Sequence, residues 1–264
     1  MAIRKPFFVV PLDLGTVVSG NVAAGHSVFH LARHDAIGLT WKTDGNTNVW
    51  ARGDFGSAQA VDFLAIVAAN ALPGTQFRLR LGASQAEVDG AAPYDSAAQA
   101  FISPAITSDD DLYHAHWELP ALQTYQWWRI DITGHTGNFE AASVVMGKKF
   151  EPSRYYNYGF GRGVEDLGGL SISPFGIFDE QPGIVLRRIQ FTLAWVTEAE
   201  FETGFQPMLR KLGKRGVVYL CFDPESGPYR QSKTYMGPMD KLPFATGVRK
   251  PGTYSMDFQL LSTI

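Results

Sequence analysis

Histidines at regular spacing are the first groups in this sequence whose type could bind a metal. His26, His30 and His34 recur at every fourth position in GHSVFHLARHDAIG, so a helix or a strand would place all three on one face. Imidazole is a common ligand of zinc, which makes a metal site one interpretation. Ligands from one short segment diverge instead of meeting at an ion. We therefore predict a solvated or partner-facing edge here, and no metal site.

Acidic residues offer a second candidate for ion binding. Asp109, Asp110 and Asp111 form a run before a predicted strand, and calcium prefers clustered carboxylate and carbonyl oxygens. A solvated loop explains the same run, so the sequence leaves calcium binding at 109–111 open. His114 and His116 follow in HAHWEL and would share one face of the strand. The sequence places no carboxylate or nucleophile beside them for general-base catalysis.

Motifs of the common enzyme classes are missing from the sequence. It contains no G-x-S-x-G nucleophile elbow, no P-loop, no G-x-G-x-x-G turn and no H-E-x-x-H pair. Its carboxylates are scattered, and no two of them have the surrounding motif of a glycosidase acid and base. We therefore predict that the protein is not an enzyme and binds no cofactor. The single cysteine, Cys221 in VVYLCF, is interpreted as a small buried hydrophobic residue.

Tryptophans are the residues that could bind a sugar, because an exposed aromatic ring offers a flat apolar surface. Trp41, Trp50 and Trp127 are predicted as glycan contacts, with packing in the core as the alternative for each. Beside Trp50, residues 52–54 spell Arg-Gly-Asp, a tripeptide that extracellular matrix proteins present to integrins. The flanking Trp50 and Phe55 predict a strand instead of a protruding adhesive loop, so we interpret the tripeptide as part of the framework.

The composition places these residues in a folded protein that favours β-structure. Hydrophobic residues make up 45% of the 264 and charged residues 19%, while aromatic residues reach 13% beside 27 glycines and 15 prolines. The net charge of −3 implies no basic surface for nucleic acid. A run of roughly 18 apolar residues and a signal peptide are both missing, so we expect no membrane insertion and synthesis in a cytoplasm.

Short apolar runs between turn residues predict strands throughout residues 1–147. QFRLRLG (76–82) alternates, with Phe77, Leu79 and Leu81 on one face, and YQWWRIDIT (125–133) alternates in the same way. No helical pattern is long enough to connect parallel strands. A mainly β fold with an N-terminal β-sandwich is therefore predicted.

The order of motifs in this half resembles the galactose-binding-like, discoidin-type domains. The resemblance is carried by Trp41 in a polar turn, by VWARGDFGSAQAVDFLAIVAANALPGTQFRLRLG, and by WWRIDITG before a last short strand, within residues 15–147. It implies a jelly-roll type β-sandwich. Domains of this kind bind sugars, lipid surfaces or proteins, so the resemblance permits a glycan ligand without naming one.

Residues 148–264 predict a second unit of different character. Residues 148–183 are rich in glycine and aromatic residues and lack periodicity, which predicts an extended arm or, alternatively, a surface loop. A helix is predicted over 197–216, with Thr197 as its N-cap and Pro207 as a point where it splits. Four predicted strands complete a small α+β unit: IVLRRIQFTLAWV, VVYLCFD, KTYMGPM and TYSMDFQLL.

The second unit resembles minor tail proteins of long-tailed bacteriophages. GKKFEPSRYYNYGFGRGVEDL, TEAEF, CFDPE and a Y-x-G strand occur in the order found there, across residues 147–264. The resemblance implies a structural virion protein of the tail tip that forms or decorates a homo-oligomeric ring, of three or six subunits, and contacts tube and hub proteins. It implies an inter-subunit arm containing Tyr155, Tyr156, Tyr158 and Arg162, and a sandwich that faces host glycans. The alternative is a free-standing, non-catalytic carbohydrate-binding protein.

Overall fold

The computed structural model describes residues 4–248 and 250–264, and their backbone is mainly antiparallel β-structure, as predicted. The first nine strands in chain order are β1 Phe7–Val9, β2 Thr16–Ser19, β3 Trp41–Lys42, β4 Trp50–Ala69, β5 Gln76–Gly82, β6 Tyr94–Asp95, β7 Gln99–Ala100, β8 Tyr113–Thr133 and β9 Glu140–Gly147. A 3₁₀ turn spans Val28–Ala32, and a short helix, α1, spans Gln85–Asp89.

The remaining elements follow the ninth strand. Nine further strands are β10 Lys149–Phe150, β11 Gly161–Asp166, β12 Gly169–Ile172, β13 Phe178–Gln181, β14 Val185–Thr197, β15 Val217–Cys221, β16 Thr234–Lys241, β17 Thr246–Gly247 and β18 Thr253–Ser262. One continuous helical segment consists of α2 Glu198–Glu200, a π-helical turn Phe201–Phe205 and α3 Gln206–Leu212, and a 3₁₀ turn spans Gln231–Lys233. None of the described helices has the length and apolar character that crossing a membrane requires.

The N-terminal unit is a β-sandwich built on two unusually long strands. Its strand order is β3-β9-β4-β8-β5-β6, with β2 attached to β4 and β7 attached to β5. The register between β4 and β8 shifts at three irregularities, and bulges of this kind bend a sheet so that it can enclose a core. The predicted alternation is confirmed, because Phe77, Leu79 and Leu81 are buried in the same cluster as Trp128 and Ile130.

The predicted boundary at residue 147 is wrong for the start of the chain. Strand β1 lies in the second unit, where Phe8 pairs with Leu220 of β15 and with Phe150 of β10. Both faces of β1 are covered, because Phe8 packs into the core of the second unit while Phe7 and Val9 face the sandwich. Within the described residues, the chain therefore runs first through the second sheet, crosses to the sandwich, and returns after β9.

The second unit is an antiparallel sheet covered by the helical segment. Its order is β10-β1-β15-β16-β18-β14-β11, with β17 attached to β18. The segment begins as predicted at Thr197, whose hydroxyl and Glu200 form a reciprocal capping box. It ends at Leu212 and not at 216, because Gly213 adopts a φ of 52° that terminates a helix readily. Phe205 and Leu212 bury the inner side against the sheet.

A separate apolar layer joins the two units. Phe63, Ala65 and Val67 of β4 pack with Phe7 and Val9 of β1, together with Val145, Tyr219, Cys221 and Met236. Cys221 is buried there, as predicted. At the edge of the layer, Glu118 accepts two hydrogen bonds from Arg4, at 2.8 and 2.9 Å, and one from Lys149 at 2.6 Å. The units are thus held together by apolar contact and by a shared carboxylate.

Candidate functional site

The most exposed part of the second unit is a hairpin that leaves the sheet. Strands β12 and β13 pair with each other and belong to a two-stranded sheet of their own. The predicted arm at 148–183 is therefore shorter, since β11 is paired along its length with β14 from Gly161 to Asp166. We call residues 167–184 the hairpin arm. Gly168 and Gly183 lie back to back at its base, and a Cβ on Gly183 would lie 1.9 Å from the Gly168 nitrogen.

Large apolar side chains are concentrated on this arm and its flanks. Eleven of the twenty-two exposed large hydrophobic residues in the described chain lie between residues 158 and 185. They are Tyr158, Phe160, Val164, Leu167, Leu170, Ile172, Phe175, Ile177, Phe178, Ile184 and Val185. Phe175, at the turn, is 89% exposed. Monomeric proteins seldom expose large apolar patches, and such patches mark interaction sites.

Of the four residues predicted for the arm, two point outward and two point inward. Tyr158 is fully exposed and Tyr155 is about half exposed. Tyr156 instead stacks on Phe222 with ring centroids 4.1 Å apart. The Arg162 Nε atom donates to the Tyr235 hydroxyl at 2.7 Å, and its Nη2 atom donates to the Ser232 carbonyl. Tyr156 and Arg162 therefore fix the segment that precedes the hairpin arm to its own subunit, which corrects their predicted role.

The tryptophans predicted as glycan contacts lie in three different environments. Trp41 is only 2% exposed, packs edge-on against Phe139, and donates its indole N–H to the Asn21 carbonyl at 3.0 Å. It is a core residue, so its prediction as a surface contact is wrong. Trp50 is half-buried, and the guanidinium of Arg129 covers its ring at 4.5 Å. Trp127 is half-buried on the outer face of β8, and its role stays a prediction.

The outer face around Trp50 carries a network that the sequence analysis did not identify. Asp89 pairs with Arg52 and with Arg129, the latter at 2.6 Å, and Asp131 pairs with Arg129 at 2.8 Å and with Arg80 at 2.6 Å. The alternation of Arg and Asp along β5 and β8 was the available signal. Its three arginines share two aspartates, so the network carries one excess positive charge, and the buried Arg52 Nε atom has no hydrogen-bond partner. Its ion pairs link β4, β5, β8 and α1 and brace the sheet.

The Arg-Gly-Asp tripeptide is part of a central strand, as predicted. Arg52, Gly53 and Asp54 lie in β4 and are paired on one side with β2 and on the other with β8. A Cβ on Gly53 would lie 2.5 Å from the Trp128 indole nitrogen, so the glycine allows close packing of the core. Asp54 accepts a hydrogen bond from the Gly56 N–H at 2.7 Å. Its residues are engaged within the sheet.

Histidines and acidic residues do not assemble a metal site within residues 4–248 and 250–264. The Nδ1 atoms of His26 and His30 lie 3.2 and 2.8 Å from the Thr40 carbonyl, while His34 bonds the Ser143 hydroxyl at 2.8 Å. Burial lowers the pKa of His34. Asp110 accepts from the Ser108 hydroxyl at 2.6 Å and from the Leu112 N–H at 3.1 Å, which closes the acidic loop on itself.

Solved structures of known proteins resemble part of the chain. No protein-family model and no curated protein sequence matches it. Among solved structures, a chitosan-binding module 1 from a chitosanase/glucanase of Paenibacillus sp. IK-5 is 12% identical over 52% of this chain and 98% of its own, with a TM-score of 0.39. A fucose-binding module of Streptococcus pneumoniae is 9% identical over 53% and 95%, with a TM-score of 0.40. The lectin domain of lectinolysin, complexed with Lewis B antigen, is 14% identical over 51% and 92%, with a TM-score of 0.37.

The class of protein is defined by the chain's own geometry. It is a mainly β protein in which an antiparallel sandwich is joined to a second antiparallel sheet with a helical cover. Its most distinctive surface is the apolar hairpin arm.

Proposed function

We propose that this chain is a structural subunit of the tail tip of a long-tailed bacteriophage, assembled into a homo-oligomeric ring through the hairpin arm. The observation that carries the proposal is the concentration of exposed apolar side chains between residues 158 and 185. The phage assignment rests on the tail-protein motifs across residues 147–264. The sandwich would face outward, toward host glycans, and the second sheet would contact the tube and hub.

A neighbouring copy is the occupant that best suits the arm. Full burial of a Val, Leu, Ile or Phe side chain contributes about 1.5–3 kcal/mol, so an arm this apolar favours a permanent partner. Among the described residues, no strand pairs with the outer edges of the hairpin or of β11, and free edges of this kind can add strands from another chain. An arm that binds a different surface on the next copy makes a heterologous contact, and repeated contacts of this kind form a ring when the rotation between copies closes.

The first test is the assembly state of the purified full chain. Native mass spectrometry and negative-stain microscopy are expected to show closed rings. The double variant Leu170→Glu/Phe178→Glu, which places two charges on the arm, is expected to be monomeric. Leu122→Glu is the matched control, because Leu122 is 49% exposed on the sandwich and away from the arm.

Two outcomes would contradict the proposal. If the wild type stays monomeric at high concentration, it does not form a ring. If Leu170→Glu/Phe178→Glu assembles as the wild type does, the hairpin arm is not the contact that forms the ring. The tail assignment has its own readout: antibodies against the chain should label the tail tip in micrographs of phage that encode it. A free-standing carbohydrate-binding protein would give no such labelling.

A further inference from the structure

A cavity of about 310 Å³ opens at the seam between the two units. Its walls come from β5, β7, the loop after β7 and β8 of the sandwich, and from Arg230, just before the 3₁₀ turn of the second unit. Phe77 and Trp117 supply apolar surface, while His116, Glu118 and Arg230 supply polar groups. Its volume is at the lower end for ligand pockets and suits one small molecule.

Arg230 brings an unbalanced positive charge to this cavity. Its Nη2 atom donates to the Ser103 carbonyl, but its buried Nε atom has no hydrogen-bond partner. No carboxylate of the described residues forms an ion pair with this guanidinium, whereas Arg4 and Lys149 nearby share Glu118. A half-buried guanidinium without an anion is unfavourable, and its planar fork suits a carboxylate.

His116 brings an unused hydrogen-bond acceptor. Its Nε2 atom lies 3.4 Å from Glu118 Oε1, and its buried Nδ1 atom has no partner. Burial alone would raise the pKa of Glu118. The hydrogen bonds from His116, Arg4 and Lys149 outweigh that effect and hold the pKa well below its usual range. Glu118 is therefore an ionised acceptor, so the proton of the neutral ring lies on Nε2 and Nδ1 offers a lone pair. Burial also lowers the pKa of His116, which keeps the ring neutral.

Trp117 adds a held aromatic ring to the lining of the cavity. Its indole N–H donates to the Tyr94 hydroxyl at 3.0 Å, and the ring packs against the sandwich core while remaining half-buried. An indole face held in this way offers a flat apolar surface to the C–H side of a small ring.

We propose that the seam cavity binds a single sugar acid of the uronate class. Its carboxylate would meet Arg230, one of its hydroxyls would donate to His116 Nδ1, and its pyranose ring would lie along Trp117. This arrangement gives partners to two buried polar atoms that have none in the chain, and orphaned buried atoms of this kind require an explanation. The site is independent of ring assembly, because the cavity is formed within one copy of the chain.

The test is calorimetric titration of the full chain with sodium glucuronate and sodium galacturonate. Glucose and galactose serve as neutral matches, and inorganic phosphate serves as a plain anion. We expect the uronates to bind at least about tenfold more tightly than the neutral sugars, because a bond to a charged group is lost with the carboxylate. Arg230→Gln should weaken uronate binding to a similar extent. Arg33→Gln, at an exposed ion pair with Asp35, is the control and should leave binding unchanged.

Two further measurements distinguish the loss of the binding site from misfolding, and the sugar-acid site from the proposed ring. His116→Asn should weaken uronate binding. The thermal midpoint of His116→Asn is compared with those of Arg33→Gln and Arg230→Gln, so that a loss of folding can be recognised. The Leu170→Glu/Phe178→Glu variant should still bind uronate, whether or not the wild type assembles. Equal affinity for phosphate and uronate, equal affinity for uronates and neutral sugars, or no binding by the wild type would each overturn the sugar-acid site.

Discussion

His114 is the residue whose titration should affect folding most clearly. Its Nδ1 atom accepts the Ala68 N–H at 2.9 Å, which only an unprotonated Nδ1 can do. Burial, reinforced by repulsion from Arg187 and opposed by Asp110, lowers its pKa from 6.5 to about 4. Between these two values the unfolded chain binds a proton that the folded chain does not, so stability is lost as the pH falls.

The expected loss can be measured by urea unfolding. Between pH 7 and pH 4.5, wild type should lose about 2 kcal/mol more than His114→Gln, whose amide oxygen can still accept the Ala68 N–H. His26→Gln is the control, because its imidazole bonds a carbonyl at the surface turn and should leave the difference in place. An identical pH dependence in wild type and His114→Gln would contradict the assignment.

For single residues, the sequence identified candidate aromatic side chains but did not establish the environment of each one. Trp41 and Trp128 are core residues, while Trp127 lies outside, and only the alternation in WWRIDI separated the last two. Trp41 stands in a two-residue strand, where no alternation exists to read. Trp50 was predicted to be exposed, but Arg52 of the same strand and Arg129 of β8 cover its ring. The position of Arg129 depends on the register between β4 and β8, which the sequence does not show.

Gly204 is the residue on which the helical segment depends for its approach to the sheet. A Cβ at this position would lie 2.2 Å from Phe150 Cε2 and 2.3 Å from Cζ. Gly204→Ala should therefore lower the free energy of unfolding by about 1–3 kcal/mol through overpacking, although alanine favours a helix by about 1 kcal/mol.

A double-mutant cycle in urea separates these two effects. In a Phe150→Leu background the cost of Gly204→Ala should shrink, because the clashing ring is gone. Thr203→Ala is the matched helix control, since Thr203 is exposed one residue earlier. If Gly204→Ala stabilises the protein, alanine's helix propensity outweighs any clash and the close approach is not limiting.

Elements with a strong local signal were predicted well, and elements defined by partners were not. Thr197 and Glu200 form a capping box within four residues, so the start of the helix could be predicted from the sequence. The π-helical turn was not, although it ends two residues before Pro207, whose missing N–H removes one regular helical bond. Strand β11 has a weak pattern of glycine and charge, and its place in the sheet follows from pairing with β14.

The division into units could not be read from the sequence, because strand β1 crosses it. Its residues read as an ordinary apolar run, and only the fold reveals that Phe8 belongs to one core while Phe7 and Val9 belong to the layer between units. A buried strand that serves two cores couples their stability. Domains joined by small polar contacts move independently, whereas this layer is apolar and fully buried.

The whole molecule should therefore unfold as one cooperative body. Differential scanning calorimetry of the wild type is expected to show one transition. Phe7→Ala removes a ring that is 1% exposed and packs at 5.0 Å from Phe63, so it should destabilise the protein by about 3–5 kcal/mol and move that single transition downward. Phe29→Ala, at a ring that is 50% exposed, is the control and should change the midpoint little. Two wild-type transitions, of which Phe7→Ala moves only one, would mean that the units fold separately and that the layer merely docks them.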